Sequence, residues 1–177
     1  AKRALDRDPA SPAVSHSLAV QLYLARQFDQ AIEQAHNTLE MDANFAISYQ
    51  VLGEVYLSKG MYQEALLALE KFSALSRSSA TSRVLLGYSH ARLGERSAAL
   101  RIIEELTAAA KHSFVPALLF ALVYAGLEDK DQAFSWLEKA YEERFYRLAY
   151  VKVEALWDPL RSDARFMDLL RRVGIPP

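Results

Sequence analysis

The residues best equipped for chemistry are thinly spread along this chain. Histidine occurs four times, at His16, His36, His90 and His112, and cysteine is absent. Metal ligation needs imidazoles or carboxylates at spacings that converge, such as i and i+4 on one helix face, and no two of these histidines are so placed. The lack of thiols excludes disulfide frameworks, thiolate metal sites and a cysteine nucleophile. Gly87-Tyr88-Ser89-His90-Ala91 sets a serine beside a histidine, as a nucleophile elbow would. The second glycine is missing, however, and the segment reads as mid-helix, so Ser89 lacks the strained exposure that such a nucleophile needs. The adjacent acids Glu104–Glu105 and Glu142–Glu143 diverge by about 100° on a helix and cannot form an acid–base dyad. No glycine-rich phosphate loop occurs. The sequence predicts a non-catalytic protein that uses no metal and no cofactor.

Charge and hydropathy narrow the field further. Lys and Arg total 21 against 22 for Asp and Glu, a net charge of −1. A surface built for nucleic acid normally carries a clear basic excess, so no nucleic-acid partner is expected. Hydrophobic residues make up 51% of the chain and charged residues 24%, enough apolar material to bury a core. No apolar run approaches the roughly 18–20 residues that span a bilayer, so this segment is not expected to insert into a membrane. No signal-peptide pattern opens the chain, which favours a cytoplasmic location, although the missing cysteines suit either redox compartment. The first residue is Ala1 rather than Met, as expected at a processed or internal boundary.

The elements that must position any site are set by a repeat. Shifting the chain by 34 residues aligns Ala31, Ala65, Ala99 and Ala133. The same shift aligns Leu18, Leu52, Leu86 and Phe120, each followed by a small residue: Ala19, Gly53, Gly87 or Ala121. Four units follow without insertion, 12–45, 46–79, 80–113 and 114–147. Each reads as two helices. In 62–75, Tyr62, Ala65, Leu66, Leu69, Phe72 and Leu75 recur every three or four residues, and Gly60 and Gly94 supply stops between helices. Arg26 and Glu128 stand where those glycines would be, so residues with a Cβ must manage two of the turns. Ser11-Pro12 is a start signal, and Pro116 is expected inside a first turn. The small columns mark where helices cross closely, because a mid-helix glycine costs about 1 kcal/mol relative to Ala and needs a packing reason.

Leu52-Gly53-Glu54-Val55-Tyr56, then Gly60, Tyr62, Ala65 and Phe72, resembles the tetratricopeptide repeat, whose period is also 34. The resemblance covers 12–147, and Ala4-Leu5-Asp6-Arg7-Asp8-Pro9 is similar to the end of a preceding repeat, making 1–11 a partial one. It implies an all-α, right-handed superhelical solenoid of antiparallel helical hairpins. Residues 148–177 break the register and read as C-terminal capping helices. Ser162-Asp163 starts the last of these, with Phe166, Leu169, Leu170 and Val173 as its apolar face and Gly174 as its end. This region, from Tyr124 through Asp158-Pro159-Leu160-Arg161-Ser162-Asp163, also resembles the C-terminal end of bacterial multidomain signalling proteins. That likeness implies that the chain is part of something larger.

A partner would meet the first helix of each unit, since first helices line the concave surface of stacked helical repeats. His16, Val20 and Tyr23 lie about 200° from the core stripe. Their equivalents are Gln50, Glu54 and Leu57, then Val84, Tyr88 and Ala91, then Leu118, Leu122 and Ala125. Two readings stand open: neighbouring first helices bury several of these residues, or they form a groove for a helix or peptide of a partner protein. In the groove reading Tyr88 and Leu122 are the anchors, Gln50 and Glu54 make directional contacts, and Arg92 meets a carboxylate at the edge. The Lys/Asn/Arg clamp of chaperone adaptors is missing, with Val, Leu and Gln in its place. The expected function is protein–protein recognition or scaffolding within a larger regulatory protein. The alternatives are a ligand-sensing segment that controls an attached signalling enzyme or transcription regulator, and self-association through the Phe114 and Phe145 edges or an exposed repeat end to give a homo-oligomer.

Overall fold

The computed structural model describes residues 11–175, so residues 1–10 of the expected partial repeat lie outside the described residues. Among those described, every regular element is a helix: α1 (Pro12–Leu24), α2 (Phe28–Met41), α3 (Ala46–Ser58), α4 (Tyr62–Leu75), α5 (Ala80–Arg92), α6 (Arg96–Ala110), α7 (Ala117–Gly126), α8 (Lys130–Glu142), two 3₁₀ turns (Tyr146–Tyr150 and Ala155–Leu160) and α9 (Ala164–Val173). The chain divides into two compact units between Ser82 and Arg83, inside α5.

Local chemistry sets the helix ends. Ser11 caps α1 by accepting a hydrogen bond from the Val14 N–H, and Pro12 takes the first position, where a missing N–H costs nothing. The turns inside the hairpins need a left-handed residue. Gly60 and Gly94 supply it at φ 75° and 81°, while Arg26 and Glu128 adopt φ 59° despite their Cβ atoms. Pro116 departs from expectation: it is the N-cap of α7 in extended backbone (ψ 134°), so the helix begins one residue later, at Ala117.

In the first unit α1 pairs with α2 and α3 with α4. Ala19, Ala31 and Ala65 are fully buried where the helices cross. Gly53 faces Leu69 so closely that a Cβ there would lie 2.4 Å from the leucine Cγ. The small column of the sequence is therefore a steric requirement and not a matter of helix preference. A buried polar contact, Ser15 Oγ to Thr38 Oγ1 at 2.7 Å with Gln34 Nε2 donating to Ser15 Oγ, also ties α1 to α2.

In the second unit Val84, Ala99, Ile103, Leu106, Phe120 and Val123 form the centre of the core. Trp136 stacks on Phe120 at 4.2 Å between ring centres, which makes it part of the packing. The 34-residue rhythm continues further than the sequence suggests. Helices α2, α4, α6, α8 and α9 start at Phe28, Tyr62, Arg96, Lys130 and Ala164, each 34 residues after the last. The tail thus keeps register in its second helix. Its first helix is replaced by the two 3₁₀ turns, the second of which holds Pro159.

Helix α9 buries Phe166, Leu169 and Leu170 and ends at Gly174, φ 82°. Its arginines are neutralised locally: Arg165 bonds Asp163 and Asp131, and Arg172 bonds Glu138 and Asp168. The bonds from Arg165 hold the Asp163 carboxyl at about 2. This basic stretch is a self-paired surface.

Candidate functional site

The first helix of each hairpin carries the residues expected to meet a partner, and the two units treat them differently. In the first unit His16, Val20, Gln50 and Glu54 are half-buried, so part of each side chain reaches solvent. The Gln50 amide donates to Glu54 Oε1 at 2.8 Å, which presents the two as one polar pair along α3. His16 sits edge-on to Phe45, ring centres 5.6 Å apart. Two members of the set are internal instead. Tyr23 and Leu57 are each 4% exposed, and the Tyr23 ring packs 6.3 Å from Phe28. Each lies near the C-terminal end of its helix.

The second unit corrects the anchor assignment outright. Tyr88 is 4% exposed, and its hydroxyl donates to the Leu156 carbonyl at 3.2 Å. Its ring fills the space that Gly126 leaves by having no side chain, since a Cβ there would stand 3.0 Å from Tyr88 Cδ2. Val84 and Leu118 are also buried, and Leu122 is half-buried against the core cluster. The 3₁₀ segment covers this face: Val151, Ala155, Leu156, Trp157 and Leu160 are all buried, and the second turn packs on α7. Arg92, expected to meet a partner's carboxylate, instead pairs with Glu128 of the same unit. Val84, Tyr88 and Leu118 are core, and Arg92 serves the fold. Replacing Tyr88 with Phe should cost about 1 kcal/mol in urea unfolding, since it strands a buried carbonyl while keeping the ring. An unchanged midpoint would show that the hydrogen bond does not bear on stability.

His16 is a titratable group on the half-exposed face whose charged form burial disfavours. Burial alone holds its imidazole below the ordinary value of 6.5, and its Nδ1 has no hydrogen-bond partner among the described residues. The unfolded chain therefore takes up the proton first as pH falls, and stability drops progressively below about pH 6.5. Comparing urea midpoints at about pH 7.5 and about pH 5.5 should show a smaller loss in His16→Phe than in the wild type. Equal losses in the two would exclude His16 as a contributor.

Comparison with known proteins places this geometry. The family model for subunit 3 of the anaphase-promoting complex (cyclosome) matches residues 58–140. Among solved structures, YrrB, described as a TPR protein with an unusual peptide-binding site, is similar over 97% of this chain and 89% of its own at 18% identity, TM-score 0.57. The chain has the tetratricopeptide-repeat fold. MamA is similar over 92% of this chain and 88% of its own (20% identity, TM-score 0.53). PilW, a type IV pilus biogenesis factor, is similar over 94% and 79% (15% identity, TM-score 0.61). No curated protein matches. With this fold the chain repeats one packing unit, and the closed face of the second unit is where it departs from equivalent hairpins. The sequence left one signal of that closure, Gly126, a helical glycine with no turn to make.

Proposed function

We propose that this chain is a non-catalytic interaction module that binds a peptide or helix of a partner protein along the first helices of its first unit. The carrying observation is the half-exposed strip formed by His16 and Val20 on α1 and by Gln50 and Glu54 on α3, whereas the equivalent face of the second unit is closed. The strip offers one apolar position, one aromatic ring and one amide–carboxylate pair, a mixture that suits an extended segment with alternating apolar and polar side chains. YrrB, of the same fold, is described as having a peptide-binding site, which supports this class of ligand without identifying it. The same reading makes the chain a recognition segment of a larger regulatory protein. Among the described residues no helix is long and apolar enough to cross a membrane.

The test is a peptide array drawn from the proteome of the source cell, probed with the labelled chain and with a Val20→Asp, Gln50→Ala double variant. Both positions are partly open, so helicity should persist. Sequences bound by the wild type should lose roughly tenfold or more in affinity with the variant. Retention of every bound sequence would exclude this strip.

A further inference from the structure

We propose a second docking surface in the first unit, on the side opposite in chemistry to the half-exposed strip: a cleft that takes a short amphipathic helix carrying Lys or Arg on both flanks of an apolar stripe. The cleft holds about 680 Å³ between α2 and α4, with α3 as its floor. Tyr49, Leu52 and Tyr56 supply the floor, and Leu67 and Ala74 of α4 line one wall. Leu67 is 66% exposed, a large apolar side chain with no helix over it. The polar atoms of the floor are turned onto the chain itself. The Tyr49 hydroxyl donates to the Ala43 carbonyl at 3.2 Å, and the Tyr56 hydroxyl meets His36 Nε2 at 3.4 Å. Ring faces and aliphatic carbon remain for a ligand.

The walls decide the occupant. Glu33 and Glu40 stand at i−3 and i+4 from His36, so they lie on the same side of α2 as the cleft. Glu64 and Glu70 line the α4 wall, and Lys71 is the single basic residue beside them. None of these four glutamates is paired with a base among the described residues. Asp29, at the start of α2, is already matched by Lys59. Helix α2 has no Lys or Arg at all. Two lining carboxylates, Glu64 and Glu70, and two more on the near side of α2 outnumber one ammonium around an apolar floor, and a ligand with the opposite arrangement is drawn in and oriented by them. Between Leu67 and Ala74 the wall runs two turns, roughly 10 Å, so the occupant is short. Two helices flanking a floor accept a third by the same ridge-and-groove packing that builds the fold.

The probe is a fluorescein-labelled synthetic helix of about three turns, with Leu on one face and Lys on both flanks. Two matched peptides replace every Leu by Ser or every Lys by Glu. Anisotropy titrations with the full chain should give saturable binding of the Leu/Lys peptide alone. Leu67→Ser and Glu64→Lys should each weaken it roughly tenfold, whereas Val20→Asp on the other face should leave it unchanged. Amide shifts on titration should fall on α2, α3 and α4 around the cleft. Equal binding of the Ser peptide would reduce the effect to bulk charge and overturn the proposal. So would shifts centred on His16 and Val20, insensitivity to both cleft variants, or no saturation by roughly 1 mM. Concentration-dependent dimerisation in sedimentation that Leu67→Ser abolishes would make a second copy the occupant and overturn it as well. Failure of the array test with success here, or the reverse, separates the two surfaces.

Discussion

Trp157→Ala is expected to destabilise the chain by about 3–5 kcal/mol, among the largest effects of any single truncation. Trp157 is 1% exposed at the centre of the second 3₁₀ turn, with Leu156 and Leu160 buried on either side of it. Such a turn has poor internal hydrogen bonds, so its place depends on what its side chains bury. The indole N–H also donates to Glu154 Oε2 at 3.1 Å, and Glu154 in turn accepts from Arg147. Removing the indole leaves both a cavity and a partly buried carboxylate with one donor fewer. Urea unfolding followed by far-ultraviolet circular dichroism gives the free energy. Trp157→Phe separates the two contributions, keeping most of the volume and losing the N–H, at about 1–2 kcal/mol. A loss below about 1 kcal/mol in the alanine variant would mean that the segment is not held by this residue.

Gly53→Val should cost about 3 kcal/mol, at the upper end of the usual penalty for overpacking. Leu69 is fully buried, and the clash falls on its Cγ as well as a terminal methyl, so no simple rotation relieves it. Even Gly53→Ala should destabilise, although alanine is the better helix former by about 1 kcal/mol. Gly87→Ala is the internal comparison. A Cβ there meets Ile102 and Val123 at 3.1–3.2 Å, contacts that a few tenths of an ångström relieve. It should come out near neutral because the propensity gain offsets the crowding. Thermal melts of the three variants check the order, and a stabilised Gly53→Ala would refute the steric account of this column.

The features legible in the sequence are those whose causes are local. The period, the hairpins and the small columns follow from contacts made within one unit of 34 residues, where each helix packs on its neighbour. Ala31, Ala65, Ala99 and Ala133 are fully buried because a repeated unit puts the same demand on each copy. The turns at Arg26 and Glu128 were also legible, since alignment with Gly60 and Gly94 fixes the backbone they must adopt. Helical angles likewise told which residues of a first helix point away from its own hairpin.

What those angles could not tell is what lies on that side. Tyr88 and its acceptor at Leu156 are 68 residues apart, and the covering segment is 3₁₀ turn, with neither the 3.6-residue nor the 34-residue pattern to announce it. A tyrosine at that position looks the same in sequence whether it anchors a ligand or lies beneath the chain's own tail, because both environments reward a large apolar ring with a polar tip. The second docking cleft was hidden for a similar reason. Its floor belongs to α3 and its walls to α2 and α4, so no single helix carries its pattern. Sequence alone determined the repeat and the crossings, which depend on neighbours close along the chain. Tertiary structure alone decided which faces stay open, because that depends on segments brought together only by folding.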